Sequence, residues 1–193
     1  DYNIDSVFHF SANSLVGEST KKPLLYYENN FSKTLSLIKM MLRFGVYHFV
    51  FSSTCAIYGI PDLVPISETE SIKPINPYGH SKAMVEQLLL DLSATSDLNY
   101  VALRYFNAAG AWHEKGIGEW HHPETHLIPL ILDACMDSNK PLTVFGDDYN
   151  TPDGTCIRDY IHVRDLAKAH VLALQYLKRE KKSNVFNLGT SQG

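Results

Sequence analysis

The chain has 193 residues, 45% of them hydrophobic and 20% charged, with a formal net charge of −4. Those values describe one ordinary globular domain, or one domain with a small lobe, and exclude a disordered chain. No run of Lys and Arg offers a footprint for nucleic acid, and no apolar stretch reaches membrane-spanning length.

Short apolar runs alternate along the chain with stretches of helical period. Ser6 to Phe10 (SVFHF) reads as a strand, and Pro23 to Arg43 as a helix with Leu24, Leu35, Ile38 and Leu42 on its apolar side. His48 to Ser52 (HFVFS) is a second strand. Asn76 then caps a helix with Pro77 at its first position, running to Thr95 with Met84, Val85, Leu88, Leu89 and Leu92 at helical spacing. Tyr100 to Phe106 is a third strand, Leu127 to Met136 a helix, and Leu142 to Phe145 (LTVF) a short strand. Asp165 to Lys178 is a further helix and Val185 to Leu188 a last strand. Strands apolar on both faces, alternating with helices, predict an α/β fold built on a parallel sheet. Composition shifts after Gly110: residues 111 to 126 are rich in Trp, His, Gly and Glu and read as a long irregular loop. The boundary predicted there divides 1–110 from 111–193.

Three widely spaced cysteines, Cys55, Cys135 and Cys156, form no CxxC pair. They suggest neither a disulfide framework nor a zinc knuckle, and they fit a reducing, cytoplasmic setting. The chain opens at Asp1 with no apolar signal-peptide core behind it and no initiating Met, so upstream sequence is expected. Cys55 reads either as a reactive thiol or as a small packing residue.

The chemistry centres on Tyr78 and Lys82, four residues apart at the start of the helix capped by Asn76. That spacing puts both side chains on one face, where an ammonium and a positive helix terminus favour a phenolate. Lowering a phenol pKa by ~3 units takes about 4 kcal/mol of differential interaction, and would poise Tyr78 as a base near neutral pH. The spacing alone favours a merely decorated helix. Context adds weight, because ligands of doubly wound sheets sit beyond the carboxyl ends of the strands. Phe10-Ser11-Ala12, Ser52-Ser53-Thr54 and Arg104-Tyr105-Phe106-Asn107 fall at three such ends. His121, His122 and His126 lie in the loop, but no second ligand motif accompanies them, so no metal is expected.

The runs SSTCAIYG, NPYGHSK, LRYFNAAGA and DGTCIRDYIHVRDLA, in that order, resemble the extended short-chain dehydrogenase/reductase family, in its NAD-dependent epimerase/dehydratase branch. HFSANSLVGES, YYENNFSKT, PETHLIP, LTVFGDDYNTPDGT and NVFNLGT fit the same family. The resemblance implies the C-terminal half of a Rossmann-like doubly wound sheet plus part of a small substrate lobe. It implies NAD as cofactor and a UDP-sugar as substrate, with UDP-glucose and UDP-galactose interconverted by transient oxidation at C4. Tyr78 is implied as the base, Lys82 as the partner that holds the nicotinamide ribose, and Thr54 as a hydroxyl sharing the 4-oxygen. Phe10, Ser11, Ala12, Ser14, Asn30, Ser52, Ser53, Tyr105 and Phe106 match positions lining NAD. Asn107, His126, Leu127, Thr143, Val144, Phe145 and Arg158 match positions holding the uridine diphosphate. A homodimer is implied through the two long helices packing as a four-helix bundle.

The chain departs from the family in having no GxxGxxG phosphate loop, and its first strand resembles the family's fourth. On that basis, the 193 residues alone are expected to bind NAD poorly and to be inert. Ser14 stands where lysine is common, and His126 where asparagine is. Cys55-Ala56 stand where a 4,6-dehydratase of this family carries an acidic pair, which disfavours that reaction. An epimerase for another UDP-sugar, pentose or N-acetylhexosamine, stays open, as does an inactive nucleotide-binding remnant.

Overall fold

A computed structural model describes residues 3–137 and 139–191. The outermost residues of the 1–110 and 111–193 division lie outside that range. Strands β1 (Ser6–His9), β2 (His48–Thr54), β3 (Asn99–Tyr105) and β6 (Asn184–Leu188) form one sheet in the order β1-β2-β3-β6, every pair parallel. The α/β class expected from alternating periods is the one observed.

The sheet is covered on both faces, which explains why β2 and β3 are apolar throughout rather than alternating. On one face Phe49, Phe51, Tyr100 and Ala102 pack with Ile38 and Met41 of helix α3 (Lys33–Arg43) and Val85 and Leu89 of α4 (Pro77–Ser93). On the other, Val50, Val101 and Leu103 meet Ala173 and Leu177 of α6 (Val163–Glu180). Full burial of such side chains stabilises by about 1.5–3 kcal/mol each.

The helix expected over Pro23–Arg43 is continuous in path but not in winding. It runs as α2 (Pro23–Tyr26), a π-helical stretch (Tyr27–Ser32) and α3, with helical backbone at both joins. A short helix, α1 (Val16–Lys21), precedes it. The strand expected at Leu142–Phe145 does not form. Val144 and Phe145 are 69% and 98% exposed, and among the described residues no strand lies alongside to complete a ladder. Two other short strands, β4 (Asn107–Ala109) and β5 (Tyr160–His162), pair in parallel as a separate ribbon. Between them, residues 110–126 form the irregular loop expected, closed by a bridge between Trp112 and Ile117 and followed by α5 (Leu127–Met136).

A buried ion pair ties sheet to helix. Arg104 Nη2 of β3 meets Glu86 Oε2 of α4 at 2.5 Å, and both side chains are almost wholly buried. The same carboxylate accepts from Ser53 Oγ at 2.5 Å. Arg104 Nη1 donates to Tyr58 Oη at 2.9 Å and to the carbonyl of Glu68 at 3.1 Å. Tyr58 passes the chain on to Asn187 of β6 at 2.6 Å.

Candidate active site

The parallel strands end on one edge, and α4 is locked against it. Asn76 Oδ1 accepts the Gly79 N–H at 2.8 Å, with Pro77 supplying the first-turn backbone. Gly79 has no room for a side chain: a Cβ there would lie 2.6 Å from the Ala56 carbonyl oxygen. That close approach sets the first turn of α4 against the turn after β2, and so sets Tyr78 against Thr54. Thr54 is buried, and its Oγ1 accepts the Ala56 N–H at 3.1 Å, capping the 3-10 turn Cys55–Ile57. Its hydroxyl proton is directed to the Tyr78 oxygen, beside which a ligand oxygen could take it.

In the chain alone, the electrostatics do not produce the lowered phenol pKa that the Tyr78–Lys82 spacing suggests. The Tyr78 phenol is pushed up to about 12 by burial, with the Thr54 hydroxyl opposing weakly and neighbouring Tyr105 adding to the rise. Lys82 does not offset this. Its Nζ turns inward, donating to the Ser52 carbonyl at 2.7 Å and lying 4.8 Å above the Phe51 ring. Burial brings the Lys82 ammonium down to about 8, against a smaller upward pull from Glu86. Desolvation disfavours the charged form of both groups, raising the phenol and lowering the ammonium.

The remaining predicted residues divide. Ser52 is buried with its Oγ hydrogen-bonded to Tyr105 Oη, on the Thr54 side of β2. Phe10 is 57% exposed just beyond β1, its ring centroid 4.6 Å from His170. Ser11 and Ser14 are exposed and Ala12 is half-buried on the segment after β1. Asn30 is buried and occupied with the protein itself: its amide bonds both the N–H and the carbonyl of Asn13 and reaches Ser81 Oγ. It therefore shapes the Ser11–Ser14 segment. Ser53 faces the opposite side, toward Glu86. Phe106 is half-buried, and Asn107 anchors β4 by two bonds to the Asp159 carbonyl.

Arg158 is exposed but close enough to Cys55 to act on its thiol, which burial nonetheless pushes up to about 11. Cys55 is thus the packing residue of the two readings, since a reactive cysteine needs a lowered pKa. His126 caps no backbone group at the start of α5 and meets Glu119 instead. Leu127 is 48% exposed, and Thr143, Val144 and Phe145 lie on the exposed stretch. Among the described residues, no hydrogen bond or ring contact joins those last four to Thr54, Tyr78 or Lys82.

Sequence reasoning missed Glu86, Tyr58, Asp159 and His170. Glu86 had a signal, four residues after Lys82 on the same helix face and matched by an arginine inside an apolar strand. Buried charge in a strand asks for a partner. Asp159 takes the N–H groups of Thr190 and Ser191 at 2.9 Å each, holding the segment after β6. His170 is buried among Phe8, Phe10 and Tyr105, with Nδ1 2.7 Å from the Leu166 carbonyl oxygen and Nε2 without a partner.

The chain matches the family model "Epimerase: NAD dependent epimerase/dehydratase family" over residues 1–189. It is 52% identical over 191 residues to a UDP-glucose 4-epimerase of Streptococcus mutans, covering 99% of this chain and 57% of that protein. A UDP-glucose 4-epimerase of Rhizobium leguminosarum is 54% identical over 188 residues, 97% of this chain and 58% of its own. The crystal structure of UDP-glucose 4-epimerase from Brucella ovis in complex with NAD superposes with a TM-score of 0.91 at 50% identity, over 98% of this chain and 58% of that one. That from Bifidobacterium longum, in complex with NAD+ and UDP, gives 0.90 at 43% identity over 100% and 58%. The chain therefore spans less than two thirds of the length of these relatives.

Proposed function

Because the chain belongs to the NAD dependent epimerase/dehydratase family, we propose that it carries the acid–base centre of an enzyme interconverting UDP-glucose and UDP-galactose through C4. One observation carries this reading: Thr54, Tyr78 and Lys82 share the carboxyl edge of a parallel sheet, held there by the Gly79–Ala56 approach.

The residues present fit the nicotinamide half of NAD. Lys82 spends one of its three donors on Ser52, leaving two for ribose hydroxyls. Phe10 and Tyr105 offer aromatic walls around His170, whose Nε2 is a buried polar atom still without a partner. When bound, NAD would supply the oxidant that removes and later returns hydrogen at C4. Tyr78 Oη takes the proton of the 4-hydroxyl and gives it back to the same oxygen, acting as base and then as acid. Thr54 Oγ donates to that oxygen and fixes its distance from the phenol. A positive charge brought near Tyr78 offsets the burial that holds its proton in place.

Arg158, beside Cys55, is suited to the diphosphate because a guanidinium presents a fork of donors. His126, Leu127, Asn107 and Thr143–Phe145 would complete the uridine diphosphate site. Binding the unreacting UDP would keep the 4-keto sugar in place while its other face turns inward. Residues 1–110 are then the later part of the NAD-binding domain, and 111–193 the substrate lobe from which α6 returns to the sheet. The protein is proposed to act in the cytoplasm, where its three free cysteines would stay reduced. A homodimer is proposed through the Pro23–Arg43 and α4 helices, where Leu24 and Leu90 are 81% and 53% exposed; a strictly monomeric protein in sedimentation velocity would contradict it.

The test is conversion of UDP-galactose to UDP-glucose by a polypeptide spanning the full length of the relatives. Release of a 4-keto-6-deoxy sugar instead would make the chain a dehydratase. Conversion restricted to another UDP-sugar would reassign the substrate.

A further inference from the structure

The loop before α5 folds four side chains of residues 119–126 toward one point. Glu119, His121, Glu124 and His126 each place one ligand atom within 4.8 Å of the others. His121 Nδ1 lies 3.0 Å from Glu119 Oε1 and 3.7 Å from Glu124 Oε2. His126 Nδ1 contacts the same Glu119 oxygen and lies 3.7 Å from Glu124 Oε1. Each imidazole therefore faces both carboxylates through the same kind of nitrogen. The two rings meet nearly edge to face, at 83°.

We propose that these four residues form a site for one divalent transition metal of the zinc class. The donor set is two imidazole nitrogens and two carboxylate oxygens, which suits zinc and its neighbours better than calcium or magnesium. Metal bonds of about 2.0–2.2 Å around a tetrahedral centre put ligand atoms roughly 3.3–3.6 Å apart, inside the range these atoms span. Two carboxylates also balance a divalent charge. Glu124 is already oriented, because its Oε1 accepts the N–H groups of Thr125 at 2.7 Å and His126 at 2.8 Å. The histidines by themselves lacked a second ligand pair in sequence; the folded loop supplies it as Glu119 and Glu124. Metal binding here needs neither Tyr78 nor a cofactor; it shares His126 with the proposed uridine diphosphate site, so it is tested without nucleotide.

The experiment strips the purified protein with a chelator and titrates it with Co2+, read by visible absorption, and with Zn2+, read by calorimetry. One Co2+ should bind with a ligand-field band that Zn2+ displaces. Glu119→Gln and His121→Ala should each weaken binding by at least about tenfold, because each removes a metal bond. His122→Ala, outside the four, should leave it unchanged, and circular dichroism should be the same for all variants. Absence of a saturable cobalt signal would overturn the proposal. So would binding that survives both substitutions, which would place the metal elsewhere, as at the exposed Cys135 and Cys156.

Discussion

The edge formed by β2, β3 and α4 and the segment from Asn107 to Asp159 are built differently. On the edge, Thr54, Lys82 and Glu86 are buried and tied by hydrogen bonds to neighbouring elements. In the segment, Thr143, Val144, Phe145 and Arg158 are exposed, and among its described residues regular structure is confined to α5, β4 and one 3-10 turn. Proton transfer needs groups held to within a few tenths of an ångström, whereas recognition of a flexible diphosphate tolerates adjustment. The proposed acid–base centre is therefore preorganised by packing, and the proposed nucleotide contacts are left to the ligand to order.

Substitutions on the two sides should behave differently, and Tyr78→Phe should have the largest effect. Loss of the phenol should cut turnover by about 10²–10⁴ with little change in UDP affinity, measured by steady-state kinetics and calorimetry. Equal losses in both would make Tyr78 a binding residue. Next comes Glu86→Ala, which strands the Arg104 charge in the core and should destabilise by about 3–5 kcal/mol in urea unfolding. The double variant Glu86→Leu/Arg104→Met should recover most of that loss, because the pair's desolvation cost disappears with it. A double variant as unstable as the single one would show that the network's hydrogen bonds matter more than its charges.

Lys82→Met should alter the pH dependence rather than the fold. The buried ammonium titrates near 8 and the unfolded one near 10.5, so between those values the unfolded chain holds more protons. Wild-type stability should therefore rise through that window relative to Lys82→Met, by on the order of 3 kcal/mol, and run parallel to it below pH 8. Parallel curves throughout would mean that Lys82 is solvated. Smallest of all, Phe145→Ser on the open segment should shift stability by under about 0.5 kcal/mol. A larger loss would mean that this segment packs more firmly than its exposure indicates.

What the sequence made legible follows the same division. β2, β3 and α4 were readable because continuous apolar runs and the Asn76-Pro77 cap act locally. The Tyr78–Lys82 pair was readable from its spacing, and the approach of Thr54 from strand-end logic. The direction of the Tyr78 shift was not, because spacing reports proximity along a helix and says nothing of burial. The bond from the Lys82 ammonium to the Ser52 carbonyl is a tertiary fact. The LTVF run has the composition of a strand, yet a strand exists only where a partner lies beside it. Glu86 could have been found by asking what neutralises Arg104 in the middle of an apolar strand.

Tyr78 is proposed as a base held back by burial until positive charge arrives beside it. Ultraviolet titration of the phenolate, wild type against Tyr78→Phe, tests this with and without NAD in a polypeptide spanning the full length of the relatives. The account predicts a phenol titrating near 12 without NAD and well below its ordinary value with it. A Tyr78 that already ionises near neutral pH without NAD, or one that NAD leaves unmoved, would contradict it.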